Sequence, residues 1–235
     1  MREKILEAYD VDKGMDNLTY KNLLVIIVSM VGFAFIGGMF LALAFGIYGE
    51  GVIRDNVETY YLFLFNVAFL TIVTVIYKPV IHFIKDIWDV SVLRSWETYL
   101  YILIGFIVSY LIQHFMFDVF SFEGGEEQLE NISPQNSLIQ SVIYIISTDI
   151  LTPVREEIWY RGILYRFLEK KYNFLVGIIG SAFIFGIFHV GYPITAMMMG
   201  IVFAMLYKKT QSIVPGIILH MIWNGYVSIS WILSP

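Results

Sequence analysis

Two long runs free of charged residues, Leu23 to Tyr48 and Tyr99 to Phe117, constrain this chain more than any other feature. About 20 consecutive apolar residues are enough to cross a hydrocarbon core as a helix. Such runs cannot all be covered by the rest of the chain, because 58% of the 235 residues are hydrophobic and only 15% are charged. Soluble domains carry about 45–50% and about 25% respectively. The pattern predicts an all-α, polytopic transmembrane helix bundle of about seven spans, in a range of about six to eight. The spans fall near 22–48, 58–77, 99–118, 137–154 running on towards 170, 174–190, 194–207 and 212–233.

The first twenty residues are mostly polar, unlike a cleavable signal with an early apolar core, so the first span is expected to remain as an anchor. Of the 15 Lys and Arg residues, all but Arg54 fall before the first span or in the segments 78–98, 155–171 and 208–209. By the positive-inside rule this places the N-terminus and those segments in the cytoplasm, and the acidic stretch Asp118 to Glu130 outside. Arg155 and Arg161 lie where burial is expected, and the remaining cations still fix the orientation. The expected location is an integral membrane one, in the plasma membrane of a prokaryote. The absence of cysteine removes thiol chemistry and disulfides, and no basic cluster points to nucleic acid. A sequon at Asn131 to Ser133 matters only in a cell that glycosylates.

Ionisable residues inside a membrane are costly and therefore mark function. Three groups stand out: Arg155-Glu156-Glu157-Ile158-Trp159-Tyr160-Arg161, Phe185 to His189, and His220 to Asn224. On a helix Glu157 and Arg161 are four apart in the acid-first order and should pair. Glu156 points about 100° away from Glu157 and is expected to lack that partner, as an acid–base group requires. A structural reading instead gives Glu156 to Arg155, which leaves both histidines unexplained. The midpoint of Glu156 and His189 falls in the polar turn Lys170-Lys171-Tyr172-Asn173, so antiparallel helices would hold them level, about 24 Å from the turn. His220 lies about 16 Å beyond Lys209, which calls for a bend at Pro215. A single helix over 137–170 would be about 51 Å long, and Pro153 is expected to break it. Asp149 reads as a turn or cap residue beside Pro153, His82 as interfacial, and His114 as packing. Trp88, Trp96 and Trp231 read as an interfacial belt.

At these residues the chain resembles the CAAX prenyl protease type II and bacteriocin-processing family, also called Abi or CPBP intramembrane proteases. The motifs are Glu156-Glu157-x-x-x-Arg161, Phe185-x-x-x-His189 and His220-x-x-x-Asn224, in the family's order. The resemblance covers roughly residues 137–232, within a catalytic transmembrane region of 137–235, and residues 1–136 read as N-terminal transmembrane spans. It implies an intramembrane endopeptidase acting on peptide or protein substrates at the bilayer. Glu156 and His189 would activate water, His220 and Asn224 would stabilise the oxyanion, and Glu157, Arg161 and Phe185 would support them. An alternative makes Glu156, His189 and His220 a His₂Glu zinc set, although no His-Glu-x-x-His helix is present. A non-proteolytic scaffold would be expected to have lost a motif residue. A transporter would be expected to show polarity in paired repeats, whereas here it is confined to the later part of the chain.

The chain has no cysteine of its own, so single cysteines report topology cleanly. In intact cells an impermeant thiol reagent should label Gly125→Cys and spare Asp10→Cys; the reverse pattern would overturn the orientation.

Overall fold

The computed structural model describes residues 19–21, 23–25, 27–28, 32, 35–36, 39, 43, 63–69, 85–120, 138–189 and 191–232. The expectations for Arg54, His82, the acidic stretch beyond Phe120 and the sequon lie outside these residues. So does most of the first two spans, although the described positions within 20–43 and all of 63–69 are helical.

The described residues form helices and no strand. A short 3₁₀ turn at Val90–Arg94 leads into α1, Trp96–Phe120. The turn starts where the Asp89 carboxylate accepts from the Ser91 N–H at 2.7 Å. A continuous helical run over 138–171 follows: α2 (Leu138–Ile145), a π-helical stretch (Ile146–Leu151), α3 (Thr152–Glu156), a second π-helical stretch (Glu157–Tyr165) and α4 (Arg166–Lys171). Then come α5 (Phe174–Ile187), α6 (Pro193–Thr210) and α7 (Val214–Ile232).

Two sequence expectations about proline are corrected here. Pro153 does not break the run. The π-helical stretch directly before it shifts the hydrogen-bond register, and the backbone stays helical from Ile145 through Arg166. A wider turn is one of the ways a helix absorbs a residue that lacks an N–H and crowds the carbonyl four positions back. Pro215 does not bend α7 either, because it sits in the first turn, where N–H groups have no intrahelical acceptor to lose.

The connections follow from local chemistry. The Asn173 side chain caps α5 by accepting from Val176 N–H at 3.0 Å, which closes the predicted 170–173 turn between α4 and α5. Gly191, at φ 99°, supplies the left-handed residue in the short link to α6, and Pro193 opens that helix. At the far end of α6, Gln211 enters the left-handed region and Ser212 Oγ accepts from Val214 N–H at the start of α7. The Tyr20 hydroxyl meets that of Tyr172 at 2.9 Å, and an ion pair joins Lys208 to Glu169. The start of the first helical segment, the α4–α5 turn and the end of α6 therefore share one end of the bundle.

Polarity is inverted relative to a water-soluble protein. Trp96, Tyr99, Leu103, Leu111 and Phe115 of α1 and Leu175, Ile179, Phe183 and Ile187 of α5 point outward, while Asp149, Glu156, Glu157, Arg161 and His220 are buried. Among the described residues one helix is long and apolar enough to cross a membrane, over Trp96–Met116. Aromatic rings tie α1 to α7, with Phe106 against Trp223 and Tyr226 at centroid distances of 6.0 and 5.7 Å.

The most extensive helix contact is between α5 and α6, and glycine makes it close. A Cβ at Gly186 would lie 2.5 Å from the Pro193 carbonyl oxygen and 3.1 Å from the Met197 nitrogen, both backbone atoms. We predict that Gly186→Ala lowers stability by about 1–3 kcal/mol through overpacking, read as a lower unfolding midpoint of the detergent-solubilised protein.

Candidate active site

The second π-helical stretch and the residue before it carry two adjacent carboxylates with different partners. Glu157 Oε1 accepts from Arg161 Nη1 at 2.8 Å, both side chains being fully buried. The same oxygen lies 3.3 Å from His220 Nδ1 on α7. The rest of the Arg161 guanidinium is enclosed: Nη2 donates to the Gly200 carbonyl on α6 at 3.1 Å, and the group lies 4.8 Å from the Phe185 ring and 4.9 Å from that of Phe203. One cation thus contacts its own helix, α5 and α6. Gly216 lets α7 approach, since a Cβ there would fall 2.8 Å from Glu157 Oε2.

Glu156 does not share Arg161, as expected from helix geometry, and pairs with Arg155, the structural alternative read from sequence. Its Oε1 accepts from Arg155 Nη2 at 2.8 Å. Neighbouring residues on a helix do not share a face, but the long Arg155 side chain folds back far enough to reach. The other oxygen, Oε2, is buried with no hydrogen-bond partner. It lies 3.8 Å from His189 Nε2 and 3.8 Å from His220 Nε2. Glu156 and His189 therefore stand level across the α4–α5 turn.

Hydrogen bonds on the far side of each imidazole assign its proton. His189 Nδ1 lies 2.6 Å from the Phe185 carbonyl, which can only accept, so Nδ1 carries the hydrogen and satisfies a carbonyl of the last turn of α5. His220 Nδ1 faces the Glu157 carboxylate and donates to it. In the neutral ring Nε2 is then an acceptor in both histidines. Each Nε2 stands too far from Glu156 Oε2 for a direct hydrogen bond, and a water between the carboxylate and either ring would bridge them. Phe185 braces both rings, at centroid distances of 4.2 Å from His189 and 6.0 Å from His220, and Phe203 stacks on His220 at 4.7 Å.

Asn224 lies one turn beyond His220 and donates one amide hydrogen to the Thr148 carbonyl at 2.8 Å, so one N–H remains for other use. One further turn on, Ser228 Oγ donates to Asp149 Oδ1 at 3.1 Å, and Thr148 Oγ1 donates to the same oxygen. Asp149 is therefore a buried tie between the first π-helical stretch and α7, and not the turn or cap residue that its place beside Pro153 implied. The i, i+4 spacing of Asn224 and Ser228 was the available signal for this seam, though nothing in sequence named its partner. His114 stacks on Tyr110 at 4.0 Å on an exposed face of α1, away from these groups. Trp88 and Trp96 are exposed, as an interfacial belt requires. Among the described residues, no three His, Asp or Glu side chains are grouped so that they could hold a metal ion.

The buried carboxylates, two histidines and an asparagine lie within a region with known counterparts. Residues 138–226 match the type II CAAX prenyl endopeptidase Rce1-like family. The likeness carried by the three motifs holds, over nearly the interval in which they were read. The chain is 34% identical over 121 residues to the Putative membrane peptidase YdiL of Bacillus subtilis, covering 50% of this chain and 47% of the relative. It is 26% identical over 121 residues to the Membrane-embedded CAAX protease MroQ of Staphylococcus aureus, covering 48% and 49%. The chain thus spans about half the length of the curated relatives it matches. No solved structure matches it.

The Glu157–Arg161 pair predicts a specific failure. Arg161→Ala leaves a buried carboxylate without its cation, which costs about 3–5 kcal/mol. The variant should unfold well below the wild type in a detergent thermal melt, and an unchanged midpoint would remove the pair from its structural role.

Proposed function

We propose that this chain is an integral membrane endopeptidase of the type II CAAX protease kind. In this reading it is a polytopic bundle of about seven spans with a cytoplasmic N-terminus, in the plasma membrane of a prokaryote, and its substrates are peptides or proteins at the bilayer. The observation that carries the proposal is the convergence of Glu156 Oε2 with His189 Nε2 and His220 Nε2, each 3.8 Å away, in a buried space.

A water held between Glu156 and His189 would donate one hydrogen bond to each. Glu156 takes a proton as the water oxygen attacks the scissile carbonyl carbon, and later gives it to the leaving amine as the C–N bond breaks. Asn224 supplies its remaining N–H to the oxyanion. His220 joins it as a donor when protonated at Nε2, its Nδ1 remaining against the Glu157 carboxylate. Glu157 and Arg161 hold His220 in place, and Phe185 holds His189.

What favours the metal-free reading over the zinc alternative is that a zinc set would consume Glu156 and leave Glu157 as the base, whereas Glu157 is paired with Arg161 at 2.8 Å.

Comparative peptidomics of cells carrying the wild type and Glu156→Gln tests the assignment. Fragments present with the wild type should disappear with the variant, while its melting midpoint stays near that of the wild type. Identical peptide profiles from a folded variant would refute the assignment.

A further inference from the structure

We propose that Arg155 is a positioning residue, which fixes the rotation of the Glu156 carboxylate so that its unbonded oxygen faces the histidines; this rests on the reading of Glu156 as the base. The terminal torsion of a glutamate is broad, so nothing in its covalent structure fixes the plane of the carboxylate. Here Arg155 Nη2 takes Oε1 at 2.8 Å, and Oε2 is left as the oxygen that both Nε2 atoms face. Arg161 is directed elsewhere, its Nη1 donating to Glu157 and its Nη2 to the Gly200 carbonyl. The two adjacent carboxylates thus have one guanidinium each: Arg161 fixes Glu157, and Arg155 fixes Glu156.

Arg155 is itself held from a second element. Its guanidinium lies 5.2 Å from the Phe65 ring, in the helical segment 63–69, while the side chain keeps 14% of its surface accessible. The clamp therefore belongs to the tertiary structure, since the earlier part of the chain backs the cation that orders the later part's carboxylate. A misplacement of about 1 Å at a reacting group costs on the order of 100-fold in rate.

The test uses the full-length protein in cells and reads the rate at which the wild-type fragments form after a metabolic pulse, normalised to folded protein. Arg155→Met should slow fragment formation about 100-fold. Arg155→Lys, which keeps a cationic donor, should recover most of that loss. If Arg155→Met folds poorly, the Arg155→Lys comparison carries the test. Wild-type rates in both Arg155 variants, or losses in both that merely track the amount of folded protein, would overturn the positioning role while Glu156→Gln remains silent. Fragments that persist in a folded Glu156→Gln protein would instead remove the base assignment, and this proposal with it.

Discussion

The ion pair between Glu157 and Arg161 is the contact around which the rest of the bundle is arranged. Burying two charges is unfavourable unless geometry and further hydrogen bonds offset the desolvation. The offset here comes from several elements at once: His220 of α7 on the carboxylate, the Gly200 carbonyl of α6 on the guanidinium, and the Phe185 and Phe203 rings against it. Each helix that surrounds the pair also contributes to the proposed chemistry or its support. Close packing at Gly200 and Gly216 is a condition of this arrangement, since a side chain at either would meet α5 or Glu157.

The π-helical stretches place polar residues where an ordinary helix would not. Wide turns of this kind are rare and recur at functional sites. The first brings Thr148 and Asp149 to α7, where Asn224 and Ser228 bind them. The second begins at Glu157 and runs past Arg161. Together they let one continuous helical run carry both the seam that orients Asn224 and the two carboxylates. The Ile87 side chain reaches into the second stretch at Gly162, 2.9 Å from where a Cβ would stand, so the segment before α1 also packs against the run that bears Glu156.

Helical class and motif positions were legible because they depend on local composition and period. Charge-free runs needed no partner to read as helices, and the polar turn at 170–173 announced itself through charge and the capping Asn173. The level placement of Glu156 and His189 followed from counting outward from that turn, and their facing atoms lie 3.8 Å apart. The expectations for Pro153, Pro215 and Asp149 failed for a common reason. Each took a residue's average behaviour, breaker or cap, where the outcome depended on hydrogen-bond register and on which helix lay opposite.

The sequence alone therefore determined the helical elements, the buried Glu157–Arg161 pairing and the three groups of polar residues, because i, i+4 spacing and hydropathy act within one segment. Tertiary structure decided the rest. It gave Glu156 to Arg155 through one oxygen and to two histidines through the other, set Asn224 on the Thr148 carbonyl, and turned both imidazoles so that their Nε2 atoms face the same carboxylate. These are contacts between residues up to 76 positions apart, and in one case between adjacent residues whose helical directions diverge. Neither kind has a period that a sequence can display, so they exist only once the helices have packed.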